Sequence, residues 1–251
     1  MRTAVISDIH ANLPALQTVL DHIDSQNVDR IICLGDILGY GPNPVECVDL
    51  VAERCEWSLM GNHDFGVLYE PTNFNVAAEQ AAYWSRDQFD LESGNGTSAK
   101  RWEFLSRLRV RVLEDRFLCV HGTPRRPINE YLFPEDALNS PVKMQQIFEL
   151  VDKYALVGHT HVPGVFTDEP DFYPPDDLDG QYKLGGEEKA IINPGSVGQP
   201  RDLDPRASYI IIEDDCVCFF RLEYDIDAVA SKIRATPQLL DWLGERLYEG
   251  R

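Results

Sequence analysis

The sequence predicts an α/β protein, on three observations. Strand-like and helix-like runs alternate over the first 65 residues, the later part of the chain is mostly β in pattern, and the histidines gather where strand-like runs end. A βαβαβ order implies a parallel sheet with helices packed on it.

The first strand covers residues 3–7, a short apolar run with β-branched side chains. From Leu13 apolar residues recur at Leu16, Val19, Leu20 and Ile23, which is a helical period. Residues 31–34 form the next strand. Pro44 opens a second helix carrying Val45, Val48, Leu50 and Val51, since proline suits a first helical turn. Residues 56–60 are a third strand. A helix follows over 75–89, Gly94-Asn95-Gly96 breaks it, and Ser98 caps another that runs to Leu105. Core strands are expected at 117–120 and 154–157, then at 165–166, 190–192, 209–212 and 217–222. Two helical patterns close the chain, at 226–233 and 237–247. Residues 168–188 are rich in Asp, Pro and Gly and read as an exposed loop. As the tip of a hairpin whose open ends hold site residues, this loop is expected on the order of 15–20 Å from the chemistry. No internal repeat or linker divides the chain, so residues 1–251 read as a single domain.

Composition narrows the function. A hydrophobic content of 43% with 26% charged residues is ordinary for a soluble globular protein. No apolar run approaches the ~20 residues of a membrane span, and the N-terminus lacks a signal-peptide pattern, so a cytoplasmic location is expected. The net charge of −19 repels polyanions, and no Lys/Arg-rich stripe offsets it. A nucleic-acid duplex is therefore not an expected partner, nor is a membrane, whereas a homo-oligomer is compatible with the sequence. The six cysteines are scattered with no C-x-x-C pair, which argues against both a disulfide framework and a thiolate zinc site.

Five of the six histidines fall in four blocks: Asp8-Ile9-His10, Gly61-Asn62-His63-Asp64, Val120-His121-Gly122 and Gly158-His159-Thr160-His161. Gly35-Asp36 ends a further strand-like run. The sixth, His22, reads as a surface residue of the first helix. In an extended segment residues i and i+2 share a side, so Asp8 and His10 converge, as do His159 and His161. Sites in parallel α/β sheets lie outside the carboxyl ends of the strands, where all five blocks sit. Asp8, His10, Asp36, Asn62, His121, His159 and His161 make more ligands than the four of one tetrahedral metal, and suit two ions sharing a carboxylate about 3.5 Å apart. Imidazole with carboxylate suits Mn, Fe, Zn or Co and does not choose among them.

The ordered series D-x-H, G-D, G-N-H-D, V-H-G and G-H-T-H resembles the calcineurin-like metallophosphoesterase superfamily over roughly residues 1–215. Gly39-Tyr40-Gly41-Pro42 and the run from Asn193 to Arg201 further resemble its small bacterial phosphodiesterase branch. The resemblance implies a four-layer αββα sandwich of two mixed sheets flanked by helices. It implies that Asp8, His10 and His161 hold one divalent or trivalent metal ion, that Asn62, His121 and His159 hold a second, and that Asp36 bridges them. His63 is then the catalytic group, with Asp64 orienting its imidazole. The implied reaction is hydrolysis of small phosphodiesters or phosphomonoesters by a metal-bridging hydroxide. Protein phosphatases of the superfamily extend G-D to G-D-x-x-D-R-G, whose arginine holds phosphate, and that arginine is missing from Gly35-Asp36-Ile37-Leu38-Gly39-Tyr40-Gly41. Arg201 and Arg125 are the substitutes, binding substrate together with Asn62. A non-catalytic scaffold of the same fold and a nuclease are the alternatives. The complete ligand set with His63 argues against the first, and the charge argues against the second.

Overall fold

Side-chain alternation along the strands dictates the layering. In the computed structural model, which describes residues 1–91, 96–169 and 171–251, β1 (Arg2–Ile6) turns Ala4 and Ile6 to one face and Val5 to the other. β2 (Arg30–Cys33) does the same, with Ile31 and Cys33 opposite Ile32. Both faces are buried, as a strand packed on each side requires. β5 (Phe117–Val120) and β6 (Tyr154–Leu156) repeat the pattern: Cys119, Tyr154 and Leu156 join Val5 and Ile32, while Leu118, Val120 and Ala155 face away. Three apolar layers result, one between two sheets and one on each outer face.

The first sheet runs β3-β2-β1-β11-β12-β9 and the second β4-β5-β6-β10-β7-β8. The remaining strands are β3 (Trp57–Ser58), β4 (Arg111–Glu114), β7 (Gly164–Thr167), β8 (Phe172–Tyr173), β9 (Gln181–Lys183), β10 (Ala190–Asn193), β11 (Ala207–Glu213) and β12 (Cys216–Leu222). β1 pairs parallel with β2 and antiparallel with β11, so the first sheet is mixed; so is the second, where β10 is parallel to β6 and antiparallel to β7. On the outer face of the first sheet lie α1 (Leu13–Ser25) and α2 (Pro44–Arg54). α1 buries Leu16, Val19, Leu20 and Ile23, and the Asn12 side chain caps it at Ala15 N, 3.2 Å away. α6 (Asp136–Asn139) and α7 (Pro141–Phe148) cover the second sheet through Ala137, Met144, Ile147 and Phe148. The layers are therefore αββα, as expected.

Several local expectations need correction. Strand β3 is only two residues long, and Gly61-Asn62-His63-Asp64 is no extended segment: Asn62 begins α3 (Asn62–Leu68). α4 (Val76–Leu91) matches the expected helix, but α5 (Thr97–Ser106) starts one residue before Ser98, after Gly96 in the left-handed region. Gly94 and Asn95 lie outside the described residues. α8 (Ile226–Arg234) matches, whereas the last helical pattern shrinks to α9 (Trp242–Glu245) and a 3-10 turn at Arg246–Glu249. Gly244 packs closely on Ala230 there, at a place where an added Cβ would stand 3.0 Å from the Ala230 Cα. His22 is half-buried rather than free, with Nδ1 2.7 Å from the Tyr209 hydroxyl.

Strands β7 and β10 do form the expected hairpin, with Gly164 opposite Asn193 and Thr167 opposite Ala190. Its connection is not a bare exposed loop. β8 edges the second sheet and β9 edges the first, while Leu184 is buried between the sheets. The alternation needed to read β8 and β9 is absent because both are short edge strands. Among the described residues no helix is long and apolar enough to cross a membrane.

Candidate metal centre

The five blocks follow the carboxyl ends of β1, β2, β3, β5 and β6. Their backbone is turned, not extended. Asp8, His10, Asp36, His159 and His161 have φ of 53°, 50°, 53°, 67° and 62°. Non-glycine residues in this left-handed region store strain, on the order of 1–3 kcal/mol each, which the surroundings must offset. Here the first two loops bond to one another, Asp8 N to Gly35 O at 3.0 Å, His10 N to Asp36 O at 3.0 Å and Ala11 N to Ile37 O at 2.8 Å. Strand alternation is thus not what makes the side chains converge.

The residues fall into two buried groups. Asp8, His10, Asp36 and His161 form one; Asp36, His121 and His159 form the other, each with ligand atoms within 4.8 Å of one another. Asp36 belongs to both. His161 Nε2 stands 3.2 Å from Asp8 Oδ1, and His121 Nε2 3.2 Å from Asp36 Oδ2. His159 and His161 therefore belong to different groups, although their i, i+2 spacing alone has them converge. Asn62 lines the cleft beside His159, and its Oδ1 is buried without a partner.

The histidine tautomers follow from their outer contacts. Nδ1 of His10, His121 and His161 faces the carbonyl of Leu38 at 2.9 Å, Leu34 at 2.9 Å and Gln199 at 2.5 Å. A carbonyl only accepts, so each Nδ1 carries a hydrogen, and in the neutral rings of His10 and His161 the Nε2 lone pair points inward. His10 Nε2 and His161 Nε2 then face each other across 3.1 Å. Two lone pairs at that distance call for a cation between them. Asn62 Oδ1 and His159 Nε2 are also buried with no hydrogen-bond partner. Buried polar atoms left unpaired are costly, and their convergence fits a pair of metal ions.

Charge completes the picture. Burial alone would raise the Asp8 carboxyl, but His161 and His121 outweigh it and hold it well below the carboxylate range. Asp36 behaves alike, held down against burial by His121 and His63. Burial would lower His121, yet Asp36 pushes it up to about 9. Burial, aided by His121, takes His159 down to about 3. Without metal, His121 therefore keeps its proton at neutral pH while His159 does not. Metal uptake at this group should release about one proton per chain at pH 7 and strengthen as pH rises toward 9. Calorimetry in buffers of different ionisation heat measures this; a buffer-independent heat at pH 7 would contradict it.

The outer supports come from a segment that the sequence marks only as a motif. Ser196 Oγ donates to Asp8 O at 2.7 Å, and Asn193 Nδ2 donates to Gly158 O at 2.9 Å and Thr160 Oγ1 at 2.8 Å. Gly61 must lack a side chain, because a Cβ would sit 1.9 Å from Asp36 Oδ1.

The Asp64 carboxylate does not touch His63. It accepts from Asp36 N at 2.9 Å, Leu38 N at 3.1 Å and Gly61 N at 3.1 Å. Burial and the Asp36 charge push it up to about 7. Its role is to hold the Asp36 turn, which corrects the expectation that it orients the imidazole. The His63 ring packs against Tyr40, Phe74 and His10, with centroids 4.4, 4.6 and 4.8 Å away. It belongs to neither ligand group and lines a cleft of about 510 Å³ with Tyr40, Asn62, Phe65, Tyr131 and His159. Arg125 is engaged by Glu130 and Gln146, and its neighbour Arg126 lines the cleft in its place. Arg201 lies against the Tyr40 ring, with its guanidinium carbon 5.9 Å from the centroid. Tyr131, stacked on His159 at 3.8 Å, has no sequence signal.

Two sheets in this order, with histidine and aspartate gathered at their strand ends, define a metallophosphoesterase-type sandwich. The chain belongs to the calcineurin-like phosphoesterase superfamily, whose domain model matches residues 1–215. It is 38% identical to an uncharacterized protein of Methanocaldococcus jannaschii, over 99% of this chain and 98% of that one. Among solved structures, a metallophosphoesterase from Sphaerobacter thermophilus is 38% identical with a TM-score of 0.84, covering 100% of this chain and 99% of the other. A hypothetical protein from Pyrococcus horikoshii shares the fold at 17% identity, with a TM-score of 0.76 and coverage of 100% and 98%.

Proposed function

We propose that this protein hydrolyses small phosphate esters, diesters or monoesters, at a pair of transition-metal ions, and stands with the small bacterial phosphodiesterase branch. The observation that carries the reading is the pair of buried ligand groups sharing Asp36 beside one cleft. Asp8, His10 and His161 would hold one ion, Asn62, His121 and His159 the other, and Asp36 both. Ions bound there lower the pKa of water and neutralise charge on the phosphoryl oxygens, with manganese favoured.

The remaining work falls to the chain. Burial brings His63 down to about 4, only partly offset by Asp36, so its ring is neutral at pH 7. A neutral imidazole facing the cleft donates its N–H to an ester oxygen and steadies the charge that grows there. Tyr40, Phe65, Phe74 and Tyr131 give the cleft aromatic walls, and Arg126 adds a cation to its lining. The net charge of −19 supports a small ester over a nucleic-acid duplex.

Manganese-loaded protein should turn over bis-p-nitrophenyl phosphate, p-nitrophenyl phosphate or both, and chelation should abolish the activity. No turnover of either ester would sink the hydrolase reading and favour a non-catalytic scaffold.

A further inference from the structure

Arg246 lies beyond the residues that match the superfamily domain, yet it stands against Tyr40, a residue that lines the cleft. Its guanidinium carbon is 5.9 Å from the Tyr40 ring centroid, the same distance as that of Arg201. Tyr40 in turn packs on His63 and His10. The arginine is held in place from several sides. It stands over the Trp242 ring at 4.6 Å, Leu243 and Leu247 are buried on either side of it in sequence, and Leu203 N bonds to Gly250 O at 3.0 Å.

Acidic residues outnumber basic ones 42 to 23, and Arg30, Arg54, Arg101, Arg206 and Arg221 all meet carboxylates. Neither Arg201 nor Arg246 forms an ion pair with an Asp or Glu among the described residues. Arg201 donates to Gln199 Oε1 at 2.9 Å and more weakly to the Tyr40 hydroxyl at 3.4 Å, while its Nε is buried without a partner. Arg246 Nε donates to the main-chain oxygen of Arg251, and its two terminal nitrogens have no hydrogen-bond partner among the described residues. Burial, reinforced by the Arg201 charge, draws Arg246 down to about 10. Like charges gathered around one ring cost stability unless an anion offsets them, and guanidinium forks match phosphoryl oxygens.

Resting on the hydrolase reading, we propose that Arg201 and Arg246 form a second anion subsite beside the metal centre, which takes a further phosphoryl group of the substrate. The preferred substrates are then small esters carrying two phosphoryl groups, one reacting at the metals and one held by the arginines.

Two measurements test this on the full chain. In calorimetry with inorganic pyrophosphate after chelator treatment, Arg246→Gln should weaken binding about tenfold or more, as loss of a charge-assisted contact does. Arg246→Lys should retain part of the affinity. Arg201→Gln, on a separate segment, should show the same loss with an unchanged melting profile. With manganese-loaded enzyme, wild type should favour fructose 1,6-bisphosphate over fructose 6-phosphate in kcat/KM. Arg246→Gln should erase that preference, chiefly through KM. Equal pyrophosphate affinity in wild type and both glutamine variants, or no bisphosphate preference in an active wild type, would overturn the subsite. Loss of pyrophosphate binding in the variants of a protein that hydrolyses no ester would uphold the subsite and sink the hydrolase reading instead.

Discussion

Asp36→Asn should bind fewer than two metal ions per chain and lose roughly 10³-fold or more in turnover. Metal-ion charge stabilisation is worth several kcal/mol, and about 1.4 kcal/mol is a factor of ten. Asp36 is the residue common to both ligand groups, so its charge is what either ion would lose. Asparagine keeps the volume and can still accept the His63 backbone N–H that Asp36 Oδ1 takes at 2.8 Å. The substitution therefore removes charge with little change in packing. His121 should lose its affinity for a proton too, since Asp36 is what outweighs burial there. Metal analysis of protein purified without chelator gives the stoichiometry, and steady-state hydrolysis of bis-p-nitrophenyl phosphate gives the rate. Asp8→Asn, which touches one group only, is the comparison and should spare the Asp36–His121–His159 site. Two ions per chain and wild-type turnover in Asp36→Asn would contradict a shared carboxylate.

Much of this was legible before the structure. Continuous apolar runs at residues 3–6, 31–34 and 117–120 identified strands, because a strand buried on both faces demands apolar residues at every position. The ordered histidine and aspartate blocks identified the centre, because carboxyl ends of parallel strands bring distant loops together. What stayed hidden had weak local signals or depended on turns. The edge strand β4 exposes Arg111 and Leu113 and half-buries Val112, so its pattern is blurred. Helix α7 carries Met144, Ile147 and Phe148 at helical spacing after Pro141, a signal that was present but short. The left-handed backbone at Asp8, His10, Asp36, His159 and His161 is set by loop-to-loop hydrogen bonds, and residue spacing does not encode those. That is why His159 and His161, although i and i+2, serve different groups. The Asp64 carboxylate was misjudged for a related reason: adjacency to His63 in sequence says nothing about a helix start that turns it toward the Asp36 loop. Arg246 sits in a segment whose helical pattern reads as ordinary packing.

His63→Ala should keep both metal ions and lose roughly 10²–10⁴ in turnover, the range for a positioned proton donor or acceptor. The ring is outside both ligand groups but lines the cleft, so its removal takes no ligand atom away. Its Nδ1 is buried with no hydrogen-bond partner among the described residues. The structure also makes room for it: a Cβ at Gly39 would lie 2.3 Å from that nitrogen, at a residue whose φ of 87° already requires glycine. With the ring neutral at pH 7, the hydrogen bond it donates matters most when the departing oxygen is strongly basic. The loss should therefore be larger for alkyl esters than for p-nitrophenyl esters, whose leaving group needs little help. Asp64→Asn should behave differently, weakening metal retention through the Asp36 turn with no dependence on the leaving group. Metal content, together with rates across a series of leaving groups, separates these outcomes. A His63→Ala enzyme that hydrolysed good and poor leaving groups as fast as wild type would leave the residue no part in the chemistry, and one that shed an ion would make it a ligand.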